Sequence, residues 1–163
     1  MFFITKVSGG NDTIPVKKAN ISPKKVEVLN DKNLYREILN QGILYPDIAF
    51  SQALLESNHF KSHLARRNKN LFGMVVSERR DNVSIGRRSG YAVYKNWIAS
   101  VVDYKIWQDN IPSSAKVSKA SYYKYVQKKY SHTKSYCKTV KGIVKSYQKV
   151  FADTSQYEEI SMR

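Results

Sequence analysis

With 163 residues, 42% of them hydrophobic, the chain can close one core and is short for two ordinary domains. No uninterrupted apolar run approaches the ~20 residues of a membrane span, and a single cysteine, Cys137, excludes an intramolecular disulfide. Lysine and arginine number 28 against 13 acids, a net charge of +15, so polyanions are the natural partners, whether a cell envelope rich in carboxylates and phosphates or nucleic acid.

Residues 1–30 carry Pro15, Pro23 and the lysine pairs Lys17-Lys18 and Lys24-Lys25, and read as an extended arm ahead of a domain over 31–151 and a tail over 152–163. The apolar start Met1-Phe2-Phe3-Ile4 is too short for a secretory signal, so any export is expected to use another route. Asp31 is expected to cap a helix through Leu34, Tyr35, Ile38 and Leu39 that Gly42 ends. A second helix runs from Pro46 to about Ser57, with proline at the first helical position, and a short one crosses Ser62 to Arg67. Met74-Val75-Val76 and Tyr91-Ala92-Val93-Tyr94 are strand-like, with turn signals at Asp81-Asn82, Gly86 and Ser89-Gly90 between them. Trp97, Val101, Tyr104 and Trp107 then recur at helical spacing, predicting a helix over 96–109 before a loop at 111–114.

From Lys116 to Lys149 there is no acid at all. In the last predicted helix Tyr136, Val140, Ile143, Val144, Tyr147 and Phe151 form an apolar stripe opposite Lys134, Lys138, Lys141, Lys145 and Lys149. The apolar half is ordinary core. The lysine half lacks the interspersed acids that usually balance such a face, and points to anionic polymers.

The candidate chemistry centres on Glu56. Ala49, Ala53 and Glu56 share one stripe of the second helix, with Gln52 and Leu55 beside it. Small residues on that stripe admit a closely packed neighbour, which would desolvate the carboxyl, raise its pKa and suit it to general acid work. A solvated glutamate at a helix C-terminus accounts for the same spacing equally well. His59 and His63 lie four apart with no third ligand at helical spacing, so neither a metal nor another cofactor is expected.

Three segments in order, Ala53-Leu54-Leu55-Glu56-Ser57, Ser62-His63-Leu64-Ala65 and Asn70-Leu71-Phe72-Gly73, resemble the signature of the glucosaminidase-type peptidoglycan hydrolases, glycoside hydrolase family 73. The stretch from Tyr91 to Tyr104, with Trp97 and Ser100-Val101-Val102-Asp103-Tyr104, resembles the family's tyrosine, tryptophan and Ser-Val-x-Asp-Tyr segment, and Tyr130 and Tyr136 its C-terminal tyrosine pair. The likeness runs from about Leu34 to Tyr147. It departs at Asn58-His59-Phe60, where glycine and tryptophan are usual, and at Lys69, which replaces one of two common asparagines.

The resemblance implies a mostly helical α+β, lysozyme-like domain whose β-hairpin lobe, between Gly73 and Tyr94, lines a cleft. It implies cleavage of the glycan strands of bacterial peptidoglycan with Glu56 as general acid, and substrate contacts from Asn70, Phe72, Tyr94 and Tyr130. For a second catalytic group, Glu78 either faces the cleft or pairs on the surface with Arg79, Arg80, Arg87 or Arg88. Without a second carboxylate, the substrate's acetamido carbonyl is the internal nucleophile, as substrate-assisted glycosidases allow. Tyr136 then steadies that group or the developing charge, with Tyr130 as second choice, unless Tyr136 is simply core. A lytic transglycosylase on the same substrate, or a basic virion or nucleic-acid-binding protein, are the alternatives. Action in the wall or periplasm is expected, with a phage virion, host cytoplasm or secretion apparatus as the route there.

Overall fold

The computed structural model describes residues 27–129 and 133–161. Among these, eight helices and one two-stranded antiparallel sheet follow in the order α1 (Asp31–Asn40), α2 (Pro46–Glu56), α3 (His63–Asn68), β1 (Gly86–Arg88), β2 (Tyr91–Val93), α4 (Trp97–Asp109), α5 (Ser113–Lys116), α6 (Lys119–Lys129), α7 (Tyr136–Ser146) and α8 (Gln148–Ser161). The architecture is the mostly helical α+β one that the sequence predicts.

Helix α2 is the axis of the domain. Every residue from Ile48 to Leu54 is buried, because its sequence offers apolar or small side chains on all faces rather than one stripe. On one side Ala49, Phe50, Ala53 and Leu54 join Leu34, Ile38, Leu71, Phe72, Val101, Tyr104 and Phe151 in the main core. On the other, Ile48 meets Ile111, Ala115, Tyr122, Val126, Tyr136 and Val140. Each such fully buried large side chain contributes about 1.5–3 kcal/mol. Two cores therefore hold one helix, and its last residue emerges from them at Glu56.

Local signals explain most ends. The cap of α1 is Asn30, one residue before the expected Asp31, with Oδ1 accepting from Asn33 N at 2.9 Å. Gly42 ends that helix at φ +61°, and the Gly42 N–H to Leu39 carbonyl and Ile43 N–H to Ile38 carbonyl bonds make a Schellman closure. Ser62 caps α3 by accepting from Ala65 N, and Asn96 caps α4 by accepting from Ala99 N.

The lobe differs from expectation. Met74-Val75-Val76 is not a strand; the sheet is the short pair Gly86–Arg88 and Tyr91–Val93, joined through Ser89 (φ +50°) and Gly90 (φ +82°). Two consecutive positive φ values are those of a type I′ hairpin turn. The competing influence at Met74 is the Asn70 side-chain amide, which accepts from Met74 N at 3.0 Å and donates to Met74 O at 2.8 Å. Those groups are thereby satisfied locally, and one backbone bond, Ala92 N–H to Met74 O, ties the segment to β2.

At the other end, Ser113–Lys116 is a short helix where a loop is predicted, and the last predicted helix is two, broken at Tyr147. Helix α8 continues through 152–161, where the sequence places a tail. Of the arm, residues 27–30 lie against the domain: Glu27 O accepts from Trp97 Nε1 at 2.9 Å, and Leu29 packs on the core. The rest of the arm, and Tyr130, lie outside the described residues. No helix among the described residues is long and apolar enough to cross a membrane.

Candidate active site

Glu56 closes α2, half-buried, with Ala49 and Ala53 fully buried behind it. The chain turns at once: Ser57 Oγ accepts from Phe60 N at 3.0 Å, and Asn58, His59 and Phe60 all take left-handed φ values of 47°, 50° and 66°. Across from the carboxyl stands Gly73 at φ +65°. A Cβ there would lie 3.3 Å from Glu56 Oε2, so both the backbone conformation and the space favour glycine.

Burial pushes the Glu56 carboxyl above its ordinary 4.5, and a hydrogen bond from the Tyr136 hydroxyl draws it part of the way back. Tyr136, the first residue of α7, is itself buried, and burial followed by the Glu56 charge holds its hydroxyl well above the usual tyrosine range. The site thus pairs a carboxyl that favours its proton with a phenol that keeps one. Chemically, that is a proton donor with a fixed neighbour.

The other predicted residues divide. Asn70 is fully buried, and its amide nitrogen donates to Met74 O and, at 3.1 Å, to Ala92 O. Phe72, also fully buried, stacks on Tyr104 with ring centroids 4.2 Å apart. Tyr94 is 2% exposed and donates to Asp103 Oδ2 at 2.5 Å, so burial and then Asp103 keep its hydroxyl protonated. In this structure these three side chains present almost no surface to a sugar. They fix the backbone beside Glu56 and the seat of the lobe instead. Glu78 is exposed, in a bend of the lobe outside the sheet.

Sequence reasoning assigns no role to two further sets of residues. Asp103 is fully buried in α4 and receives Arg80 from the lobe through two bonds, 2.7 Å to Oδ1 and 3.2 Å to Oδ2. A lone acid within apolar Ser-Val-Val-Asp-Tyr is the signal that marks it. The second set is Gln52, Tyr104, Tyr122 and Gln108, all buried and joined in sequence by hydrogen bonds. Gln52 Nε2 donates to the Tyr136 hydroxyl at 3.1 Å. Its signal is its place one turn before Glu56, an amide in a largely apolar stretch of the helix.

No group of three or more His, Cys, Asp or Glu suited to a metal occurs among the described residues, His59 and His63 included. Lys134, Lys138, Lys141, Lys145 and Lys149 are all exposed, and Lys141 Nζ lies 4.8 Å from the centre of the Tyr123 ring.

Comparison with known proteins bears on the fold and the family. No curated protein sequence matches the chain. A solved structure, the catalytic domain of the autolysin Auto from Listeria monocytogenes, is similar in fold, with a TM-score of 0.52 and 18% identity over 82% of this chain and 90% of that one. The family model for glucosaminidase, described as mannosyl-glycoprotein endo-beta-N-acetylglucosaminidase, matches residues 32–149. That span takes in nearly all of both cores, the lobe, Glu56 and Tyr136, and the chain belongs to the glucosaminidase family of glycoside hydrolases, family 73.

Proposed function

We propose that the protein hydrolyses the glycan strands of peptidoglycan as an endo-β-N-acetylglucosaminidase, with Glu56 as the general acid. The observation that carries this reading is the half-buried Glu56 at the end of α2, its proton favoured by desolvation and its carboxyl held by the Tyr136 hydroxyl. Glu56 protonates the glycosidic oxygen as the bond to the anomeric carbon breaks. The substrate's own acetamido oxygen bonds to that carbon from the other face, giving an oxazolinium. Water, deprotonated by the Glu56 carboxylate, then opens the oxazolinium and restores the acid.

This single-acid scheme is supported by the state of the lobe's neighbours: Asp103 is consumed by Arg80 and Tyr94, and Glu78 sits on an exposed bend. Glu78→Gln should therefore keep turnover within about twofold, far less than the ~10²–10⁴ of a lost acid–base group. A folded Glu78→Gln protein that turns over a hundredfold more slowly would reinstate a two-carboxylate mechanism.

The exposed lysine face of α7, with Lys149 beyond it, is read as the surface that holds the enzyme on anionic envelope polymers. Asn70, Phe72 and Tyr94 serve the substrate indirectly, by shaping the wall beside Glu56. Mass spectrometry of digested sacculi tests the whole reading. Reducing N-acetylglucosamine ends support it; anhydro-muramyl ends would make the protein a lytic transglycosylase, and unaltered sacculi with tight DNA binding would make it a nucleic-acid-binding protein.

A further inference from the structure

The hydrogen bond from Gln52 to Tyr136 is the last link but one of a buried chain, and its direction can be worked out from a fixed point. Leu44 N–H donates to Gln108 Oε1 at 2.7 Å, and Gln108 Nε2 donates to Leu44 O at 2.8 Å. A peptide N–H can only donate and a carbonyl can only accept, so the Gln108 amide has one orientation. Its nitrogen therefore donates to the Tyr122 hydroxyl, at 2.9 Å. Tyr122 accepts there, which leaves its own hydrogen for Tyr104, 2.7 Å away. Tyr104 passes its hydrogen to Gln52 Oε1 at 2.6 Å, which turns the Gln52 nitrogen toward Tyr136. Tyr136 accepts from Gln52 and directs its hydrogen to Glu56.

Reversing any link has a consequence at the far end. With the Gln52 amide turned over, its oxygen would face Tyr136 and take the hydrogen that Glu56 now receives. Gln52, Tyr104 and Tyr122 are fully buried and Gln108 is 2% exposed, so a mismatched polar atom here costs about 1–3 kcal/mol. Burial thus locks the direction.

We propose that Gln52 is a positioning residue for Glu56, held by the one-way chain Leu44–Gln108–Tyr122–Tyr104 in the orientation that makes Tyr136 a donor to the carboxyl. This rests on the reading of Glu56 as the acid. With one carboxyl oxygen occupied by the Tyr136 hydrogen, the acidic proton sits on the other, where a single position faces the glycosidic oxygen. After proton transfer, the same bond stabilises the carboxylate. The titratable groups acting on this pair among the described residues are Tyr136 on Glu56, and Glu56 and Cys137 on Tyr136.

The test uses the full chain with Gln52→Met, which keeps the side chain's bulk without a donor. Tyr104→Phe goes beside it, removing one hydroxyl while leaving α2 untouched. Two readouts are followed: the Glu56 titration by ¹³C NMR of labelled glutamate carboxyls, and kcat against pH on sacculi. In each folded variant the Glu56 titration should move upward: Gln52→Met strips Tyr136 of the donor that polarises its hydroxyl, and Tyr104→Phe frees the Gln52 amide to turn its oxygen toward Tyr136, so the bond that favours the charged carboxyl is weakened or diverted. The alkaline limb of kcat should follow it, with kcat down on the order of tenfold and KM little changed. Tyr136→Phe should reproduce the upward move, and adding Gln52→Met to it should move the titration no further. An unmoved Glu56 titration in Tyr104→Phe, or additive shifts in the double variant, would overturn the proposal. Full activity of Glu56→Gln would instead remove the catalytic reading while leaving the NMR coupling standing, so the two failures are distinguishable.

Discussion

The helical body around α2 ends in the Glu56 carboxyl and the lobe over 74–93 follows Gly73, which faces that carboxyl, but the two are held by different means. In the body, α2 is gripped by two apolar cores, and the polar atoms among them are satisfied through short bonds. In the lobe, Met74 and Ala92 reach the main core, but Val75, Ile85 and Tyr91 are 56%, 68% and 41% exposed, and the rest of the attachment runs through polar ties: Arg80 to Asp103, Asn68 and Asn70 to the backbone of β1 and β2, and Arg88 to Arg67 O. Packing fixes the Glu56 carboxyl, whereas polar ties do much of the fixing of the lobe. Perturbing the first changes chemistry at constant structure; perturbing the second changes structure around constant chemistry.

The largest expected effect tests the body. Glu56→Gln keeps the shape of the side chain and an acceptor for Tyr136 but cannot deliver a proton, so kcat should fall ~10²–10⁴-fold with folding intact. Its stability should also carry a pH signature. The folded pKa of Glu56 is raised, so the folded protein binds more protons than the unfolded chain above the ordinary 4.5, and this glutamate lowers stability as pH rises through that window. Denaturation midpoints of Glu56→Gln should therefore gain on wild type from pH 4 toward 7. A constant difference across that range would mean that Glu56 is not desolvated.

The next effect tests the lobe. Arg80→Ala strands the Asp103 carboxylate in a fully buried site, and breaking such a pair typically costs about 3–5 kcal/mol. Urea denaturation should show that loss. Because Glu56 stays gripped by α2 and Tyr136, its NMR titration should hardly move, even as KM for sacculi rises. A Glu56 titration that shifts with Arg80→Ala would erase the distinction between the two regions.

How legible each region was in the sequence follows the same division. The body was written in periodicity: Gly42, Pro46 and the spacing of Trp97, Val101 and Tyr104 place α1, α2 and α4 within a residue or two. Motif order singles out Glu56 and Tyr136, and the structure adds the hydrogen bond between them. What periodicity hid was the all-round burial of α2, because stripe reasoning assumes one buried face. That is why stripe reasoning sets Gln52 merely beside Ala49, Ala53 and Glu56. In the lobe, Met74-Val75-Val76 has strand composition, but the deciding partner is an asparagine side chain four residues back, which no alternation pattern records. Arg80 and Asp103 meet across 23 positions, a pairing invisible to local spacing.

A smaller effect concerns a surface that belongs to neither wall. Changing Lys138, Lys141 and Lys145 to glutamine should weaken binding to whole sacculi on the order of tenfold at low salt and flatten its salt dependence, while turnover of a short soluble glycan stays unchanged. Co-sedimentation across a salt series, beside kinetics on the short glycan, separates the two. Equal losses on both substrates would place these lysines in the fold or the site.

The smallest effect is expected at the turn after Glu56, where body and chemistry meet most closely. Asn58, His59 and Phe60 stand in left-handed conformations that cost an ordinary L-residue roughly 1–2 kcal/mol each. The three should not respond alike. Asparagine tolerates this region, and Phe60 packs against the main core, so glycine gains little at the first and loses contacts at the last. His59 is exposed and has neither compensation. His59→Gly should therefore stabilise by about 0.5–1 kcal/mol after the extra entropy of an unfolded glycine, a rise of about 1–4 °C in Tm for a chain of this size. Turnover should be unchanged, because the hold on Glu56 comes from Tyr136 and the buried chain rather than from the turn. A Tm gain accompanied by a tenfold loss of kcat would show that the strain itself aims the carboxyl, and would move the turn into the positioning apparatus.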